Sequence, residues 1–408
     1  MKRVLVKIRK ERKYFLAYFV EIRRIIAFDK VGADVVNYFF NQNLGLNEIS
    51  QKTSCTEEEI KFFLMELKKE LLLPYNGGYP IIENERMQAP IAVELQINNQ
   101  CNLRCKHCCQ DDYNKVMSYA TAAKILKILY QANIFEINLV GGEIFLHPYV
   151  FQILALCNKY NFAVNLVTNA TLLDDFLISK LSRLKNLSLL VSLEGVENDN
   201  DKVRGRGVFK KVDRAIKQLR KRNIHFEIST TINAQNIVRY DEMIKYANSL
   251  GATCNFNLFK PFNENQKKLI LRPTKYFQFV HNILTLKKRG VSVGLTNASI
   301  VAFFNQLRER NECRATLAGL TIDVDGHMVP CPFLRLAGFY QNVLLPKFNK
   351  FFLDTWHNNR YFREFRRRNL RECQACSYIF SKNINKSNPY GLTAFKKWAK
   401  HKKREGAF

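Results

Sequence analysis

Between residues 91 and 260 the chain repeats one pattern six times: a short β-prone run, then a longer amphipathic segment. The runs are AVELQIN, FEINLV, FAVNLVT, LSLLVSLEG, HFEISTTIN and TCNFNLFK, separated by stretches such as YATAAKILKILYQA and VFKKVDRAIKQLRKR. Strand and helix in alternation predict parallel βα units, closed into a barrel or opened into a doubly wound sheet. Either way, loops that carry chemistry gather at the carboxyl ends of the strands.

The flanks read differently. Residues 1 to about 80 offer two strand-like runs, VLVKIR and YFLAYFVEI, a helix from DKVGADVVNYFF, a short helix around LNEISQKT and a longer one in TEEEIKFFLMELKKELL. Thr56 with Glu59 forms a capping box, and Ile60, Phe63, Leu64, Leu67 and Leu71 share one helix face. With NGGYPII as a candidate wing, this is a winged-helix-like module, joined by ENERMQAP (83–90) to the α/β unit. Residues 272–312 read as mostly helical, and Asp325-Gly326 marks a hairpin between β-rich runs. The boundaries predicted are 1–82, 91–290, 291–380 and a basic tail at 381–408.

Sixty-four Lys and Arg against thirty-six Asp and Glu give a net charge of +28, which calls for an acidic partner: peptide, nucleic acid or anionic surface. No apolar run approaches the roughly 18 residues of a membrane span, and Lys or Arg interrupts every apolar patch of MKRVLVKIRKERKYF, so a cytoplasmic location is expected. Eleven cysteines, seven of them in CxxxCxxC, CxxC and two separate positions, suit metal ligation in a reducing compartment better than a disulfide framework.

Cys101, Cys105 and Cys108 lie within CNLRCKHC, directly after the first strand of the repeat. Composition alone gives about 0.01 chance occurrences of that spacing. Three thiolates can hold a four-iron cluster with one iron left open to a ligand; a zinc site completed by His107 is the alternative.

This loop resembles the cluster loop of the radical S-adenosylmethionine enzymes. Further motifs follow in the family's order. GGEIFLHP presents Gly141, Gly142 and Glu143, with Ile144 where the family usually has Pro; TNA presents Thr168 and Asn169. SLEG presents Ser192 and Glu194, an Asp in the usual pattern, and DKVRG ends in Arg204 and Gly205. The resemblance implies a partial (β/α)6 TIM-like barrel, a [4Fe-4S] cluster on the three cysteines, and S-adenosylmethionine held by these motif residues. It also implies the chemistry: one-electron cleavage to methionine and a 5′-deoxyadenosyl radical that abstracts hydrogen from an unactivated carbon.

Cys313, Gly326, Cys331 and the pair Cys373/Cys376 resemble the SPASM extension of radical enzymes acting on peptides, in its shorter Twitch form because no cysteine follows Cys376. That resemblance implies one auxiliary [4Fe-4S] cluster on Cys313, Cys331, Cys373 and Cys376; four cysteines also suit zinc.

The N-terminal module resembles PqqD-like elements that recognise the leader of a ribosomally made precursor by β-augmentation, and its nine Lys or Arg against two Glu in residues 1–27 suit an acidic leader. Together these resemblances imply a peptide maturase that forms a thioether or carbon–carbon crosslink, reduced by a flavodoxin or ferredoxin. Three other readings stay open. One is peptide epimerisation with Cys109 or Cys254 as hydrogen donor, one an RNA-modifying radical enzyme favoured by the charge, and one a non-enzymatic iron–sulfur or zinc regulator. The tail FKKWAKHKKR reads as a solvated charged face, with lipid or RNA contact as the alternative.

Overall fold

A computed structural model describes residues 4–72, 87–296, 315–368, 373–384 and 388–404. Its centre is a sheet of β4 (Ala92–Gln96), β5 (Glu136–Val140), β6 (Ala163–Thr168), β7 (Leu187–Ser192), β8 (Phe226–Ile232) and β9 (Cys254–Leu258), all parallel and paired in sequence order. These are the six strands of the repeat, and they form the parallel core of the expected partial barrel.

The two faces of this sheet follow from alternation along each strand. Leu95, Leu139, Leu166 and Leu189 stand side by side in register, none of them exposed. They share one apolar core with α4 (Tyr119–Gln131), α5 (Val150–Lys159) and α8 (Val208–Lys221) through residues such as Leu126, Ile153 and Ile216. Many of the intervening positions are polar. Asn165 donates to Asn138 (2.8 Å), Asn255 to Glu227 (2.6 Å) and Asn257 to Ser229 (2.7 Å), forming a ladder of amides and carboxylates on the opposite face.

Two additions extend the sheet. After α10 (Pro273–Lys288), in the stretch read as mostly helical, β10 (Val293–Leu295) joins β9 in parallel. It is three residues long and holds Gly294, where a side chain would strike Asn255 Oδ1 at 2.1 Å. At the other edge β11 (Gly319–Ile322) runs parallel to β4 and turns back into β12 (Met328–Val329). Gly326 takes φ +78° in that turn, a left-handed conformation that favours glycine, as the Asp-Gly signal predicts.

The N-terminal module has three strands where the sequence suggested two: β1 (Val6–Lys10), β2 (Phe15–Phe19) and β3 (Arg24–Phe28), all antiparallel. The adjoining Arg23 and Arg24 hide the third strand in sequence. The break falls at Arg23, with φ +53°. Three helices follow, α1 (Lys30–Val36), α2 (Leu46–Lys52) and α3 (Glu57–Leu72). The capping box is present, with Glu59 N–H donating to Thr56 Oγ1 (3.2 Å) and Thr56 N–H to Glu59 Oε2 (2.8 Å). The candidate wing at 76–82 lies outside the described residues.

One face of this small sheet packs on its own helices through Ala17, Phe19, Val36 and Leu67; the other joins the main core. Tyr18 stacks on Phe135 at 5.3 Å, and Arg9, paired with buried Glu11 (2.9 Å), donates to the carbonyls of Ala89 and Pro90. Arg23 donates to the carbonyls of Val164 and Asn186. All these contacts fall at the amino ends of β4, β5, β6 and β7, so the module is fixed to the end of the sheet opposite the cysteine loop.

The tail keeps Lys396, Lys397 and Lys400 exposed, as a solvated charged face would, and packs its apolar side. Helix 392–404 packs against α10, where Phe395 and Trp398 meet Phe277 at 5.7 and 5.8 Å, and both rings are buried. Its cations are thereby the outer face of a packed amphipathic helix.

Candidate active site

The loop 101–108 leaves the carboxyl end of β4 and is held from several sides. Lys106 N–H donates to Val203 O (3.0 Å), and Gln266 Nε2 donates to the carbonyls of Lys106 and Cys108 (3.2 and 2.9 Å). Gly141 and Gly142 follow β5 and lie against the strand of chain that enters the loop. A Cβ on Gly141 would sit 2.1 Å from Asn98 Oδ1, and one on Gly142 would sit 2.3 Å from Gln100 O. Only glycine allows that approach.

Glu143 is fully buried. Its carboxylate accepts from Thr168 Oγ1 and from Asn169 N–H, both at 2.7 Å, and its carbonyl accepts from Asn98 Nδ2 (3.0 Å). Burial pushes its carboxyl upward from the ordinary range, opposed by those donors. Asn169 in turn reaches Asn102 (2.9 Å) and the sulfur of Cys101 (3.8 Å). The GGE and TNA motifs thus form one hydrogen-bonded path into the cysteine loop.

On the other side Glu194 accepts from Arg204 (2.6 Å) and from Thr231 N–H (2.8 Å), and Arg204 also points an N–H at the sulfur of Cys105 (3.9 Å). Asp201, the first residue of DKVRG, accepts from Gly207 N–H and from Phe209 N–H (2.7 Å), anchoring the start of α8. Ser192 closes β7 half-buried, in register with Ser229.

Whether these residues suit a cluster is decided by their donors. The sulfurs accept from Leu103 N–H and Gln110 N–H at 3.4 Å and from Tyr113 Oη at 3.7 Å, besides Asn169 and Arg204; such donors stabilise thiolates. Burial, reinforced by neighbouring acidic groups, drives Cys101 upward and Cys105 up to about 11, a cost that a coordinated cation reverses. Arg204 Nε and His107 Nδ1 are buried with no hydrogen-bond partner among the described residues, leaving polar capacity at the loop for a bound group. His107, the candidate fourth zinc ligand, places Nε2 3.4 Å from Glu194. The set fits a three-thiolate cluster.

The second set is described in part. Cys331 and Cys373 line one small core with Leu334, Tyr340 and Ile379, while Cys376, three residues on, is buried against the main core; Cys313 lies outside the described residues. Cys376 N–H donates to the Cys373 sulfur (3.4 Å), and the Cys376 thiol also donates to it, which holds Cys373 below the usual thiol range. Three of the four predicted ligands are thus brought together.

Sequence reasoning did not single out Asn98, Asn200 or Gln266. Asn200 Oδ1 accepts from Glu194 N–H (3.0 Å), and all three are buried amides bonded to backbone groups. A lone amide in a loop carries no spacing signal, so only the fold reveals them.

Comparison with known proteins agrees with this geometry. Residues 95–250 match the Radical SAM superfamily, and residues 313–377 match the SPASM iron–sulfur cluster-binding domain, from Cys313 to one residue past Cys376. The chain is 25% identical over 305 residues to the mycofactocin maturase MftC of Mycobacterium tuberculosis, covering 72% of this chain and 78% of that protein. It is 29% identical over 167 residues to the sporulation killing factor maturation protein SkfB of Bacillus subtilis, covering 40% and 41%. In fold it is similar to Streptococcus suis SuiB bound to S-adenosylmethionine (TM-score 0.68, 15% identity, 90% of each chain). It is likewise similar to anSMEcpe with bound AdoMet and a peptide (TM-score 0.59, 18% identity, 78% and 97%). No helix among the described residues is long and apolar enough to cross a membrane.

Proposed function

We propose that this chain, an enzyme carrying a radical S-adenosylmethionine domain and a SPASM iron–sulfur domain, modifies a ribosomally synthesised precursor peptide by hydrogen abstraction and leaves an intramolecular thioether or carbon–carbon crosslink. The observation that carries the reading is the meeting of Cys101, Cys105 and Cys108 with the Glu143–Thr168–Asn169 path and the Glu194–Arg204 pair at one end of the sheet, beside a second cysteine group. MftC is a mycofactocin maturase, SkfB a sporulation killing factor maturation protein, and SuiB has been seen bound to the precursor peptide SuiA, which supports a peptide as the substrate.

Cys101, Cys105 and Cys108 would hold the first cluster, with Gly141, Gly142, Glu143, Thr168, Asn169, Ser192, Glu194 and Arg204 toward S-adenosylmethionine. Cys313, Cys331, Cys373 and Cys376 would hold the second. When bound, these groups supply the 5′-deoxyadenosyl radical and an electron acceptor. The chain's own residues do the rest. Gly141 and Gly142 let the backbone close on the loop, Asn169 and Arg204 stabilise thiolate charge, and Glu194 fixes Arg204.

Crosslinking is a net two-electron oxidation, which a second cluster suits. Epimerisation needs a hydrogen donor instead. Of the two thiols considered for it, Cys254 lies fully buried in the apolar core with Phe256, and burial pushes Cys109 up to about 12.

We assign residues 1–82 to leader recognition, in the manner of PqqD-like elements. The outer edge of β1 is engaged by the barrel, where Asn133 Nδ2 donates to Ile8 O (2.9 Å), while β3 pairs with β2 alone among the described residues. An added strand would therefore pair with β3, and the basic composition of the module favours an acidic leader. A flavodoxin or ferredoxin as reductant and a cytoplasmic location complete the assignment. Mass spectrometry of a precursor encoded nearby, co-expressed with this protein, tests it: loss of two hydrogens supports crosslinking, unchanged mass with an inverted residue supports epimerisation, and an unmodified peptide contradicts both.

A further inference from the structure

The face of the parallel sheet turned away from the helices carries one carboxylate that the fold leaves almost unspent. Glu94 lies on β4, in register with Thr321 on one side and Asn138 on the other. A carboxylate offers about four acceptor sites. That of Glu94 accepts one hydrogen bond among the described residues, from Thr321 Oγ1 at a long 3.5 Å, and no cation among them pairs with it. The other polar groups of this face are engaged with one another: Asn138 Oδ1 accepts from Asn165, Asn165 Oδ1 from Arg23, and Glu227 from Asn255. Arg23 also serves the carbonyls of Val164 and Asn186, which keeps its charge at the amino end of the sheet. Glu94, Asn138, Asn165, Glu227 and Asn255 are each half-buried between buried neighbours on the same strand, so they border space that water can enter.

From this geometry we propose that Glu94 is a specificity-determining residue, whose carboxylate receives the ammonium or guanidinium of a basic side chain that the substrate lowers into the barrel. That the substrate is a peptide rests on the function proposed above. Two residues separate Glu94 from Gln96 at the end of β4, so it lies about 7 Å below the strand end from which the cysteine loop departs. A side chain reaching that depth displaces the water around the carboxylate, and a carboxylate stripped of water without a counter-charge is strongly unfavourable. Burial already raises this carboxyl to about 7. A basic side chain supplies the missing charge; an apolar or acidic one at the same depth does not, so the site selects by what it penalises as well as by what it binds.

The test uses the full chain, reconstituted anaerobically with iron, sulfide and S-adenosylmethionine in mildly alkaline buffer, as wild type and as Glu94→Gln at equal iron content. The methylamides of N-acetyl-lysine, N-acetyl-arginine and N-acetyl-norleucine are the probes, and their affinities are read by saturation-transfer NMR. The account predicts that the wild type binds the lysine or arginine probe about tenfold more tightly than the norleucine probe, and that Glu94→Gln abolishes the difference. Equal affinities in the wild type, or a preference that survives Glu94→Gln, overturn the proposal. A second arm uses the precursor encoded nearby, with each Lys or Arg of its core changed to Met. One such change should cut modification by the wild type about tenfold and have no further effect on the Glu94→Gln protein. A precursor modified normally without any basic core residue also overturns the proposal. Discrimination among the probes with a precursor left unmodified supports the cation subsite and contradicts the peptide reading.

Discussion

Arg204 donates to Glu194 across 2.6 Å, and the side chains of both are at least nine-tenths buried. A buried ion pair contributes little net stability when intact, but removing one partner strands the other's charge at a typical cost of about 3–5 kcal/mol. Glu194→Gln should therefore destabilise the protein by roughly that amount in chemical denaturation, and the cluster loop should lose iron more readily because Arg204 is no longer held against Cys105.

Gly142→Ala places a methyl carbon 2.3 Å from Gln100 O and 2.4 Å from Asn99 O, both backbone atoms that cannot swing aside. Overpacking of this kind costs about 1–3 kcal/mol. The expected result is a modest fall in thermal stability with a disproportionate loss of iron from the first site. Normal iron content in a stably folded variant would show that the close approach is dispensable.

Glu94, on the polar face of β4, has a carboxyl raised to about 7 by burial, against 4.5 as the ordinary value, with one hydrogen bond from Thr321 (3.5 Å) opposing the rise. Between those values the folded protein keeps a proton that the unfolded chain has released, so its contribution to stability is present below pH 4.5 and lost as pH rises toward 7. The loss is on the order of 3 kcal/mol. Urea denaturation across this range should show stability falling with pH from this source, and Glu94→Gln should flatten the slope.

Trp398 anchors helix 392–404 on Phe277 and is 6% exposed. Trp398→Ala should cost about 3–5 kcal/mol, measured by thermal or chemical denaturation. A shift within experimental error would contradict the packing of the tail helix on α10.

The sequence made the six parallel strands legible because each carries apolar residues at alternate positions between helical segments of different period. The cysteine spacing made the first site legible for a chemical reason, since few structures need three thiols in eight residues. Strand β10 escaped because three residues, one of them glycine, carry no periodicity, and β3 because the basic run at its start masks the break from β2. Docking of the N-terminal module depends on Arg9, Arg23 and Tyr18, ordinary surface residues until the barrel end is placed beneath them. Gln266 escaped for the same reason, since its role is a matter of which loops meet.

The central claim is that the loop at 101–108 holds a cluster that cleaves S-adenosylmethionine while the second cysteine group holds another. Anaerobic reconstitution with iron and sulfide quantification, followed by an assay for 5′-deoxyadenosine under dithionite, tests it most directly. The account predicts about eight irons in the wild type, loss of cleavage in the Cys101→Ala/Cys105→Ala/Cys108→Ala protein, and retained cleavage with about four irons in the Cys373→Ala/Cys376→Ala protein. A fully loaded wild type that forms no 5′-deoxyadenosine would contradict it.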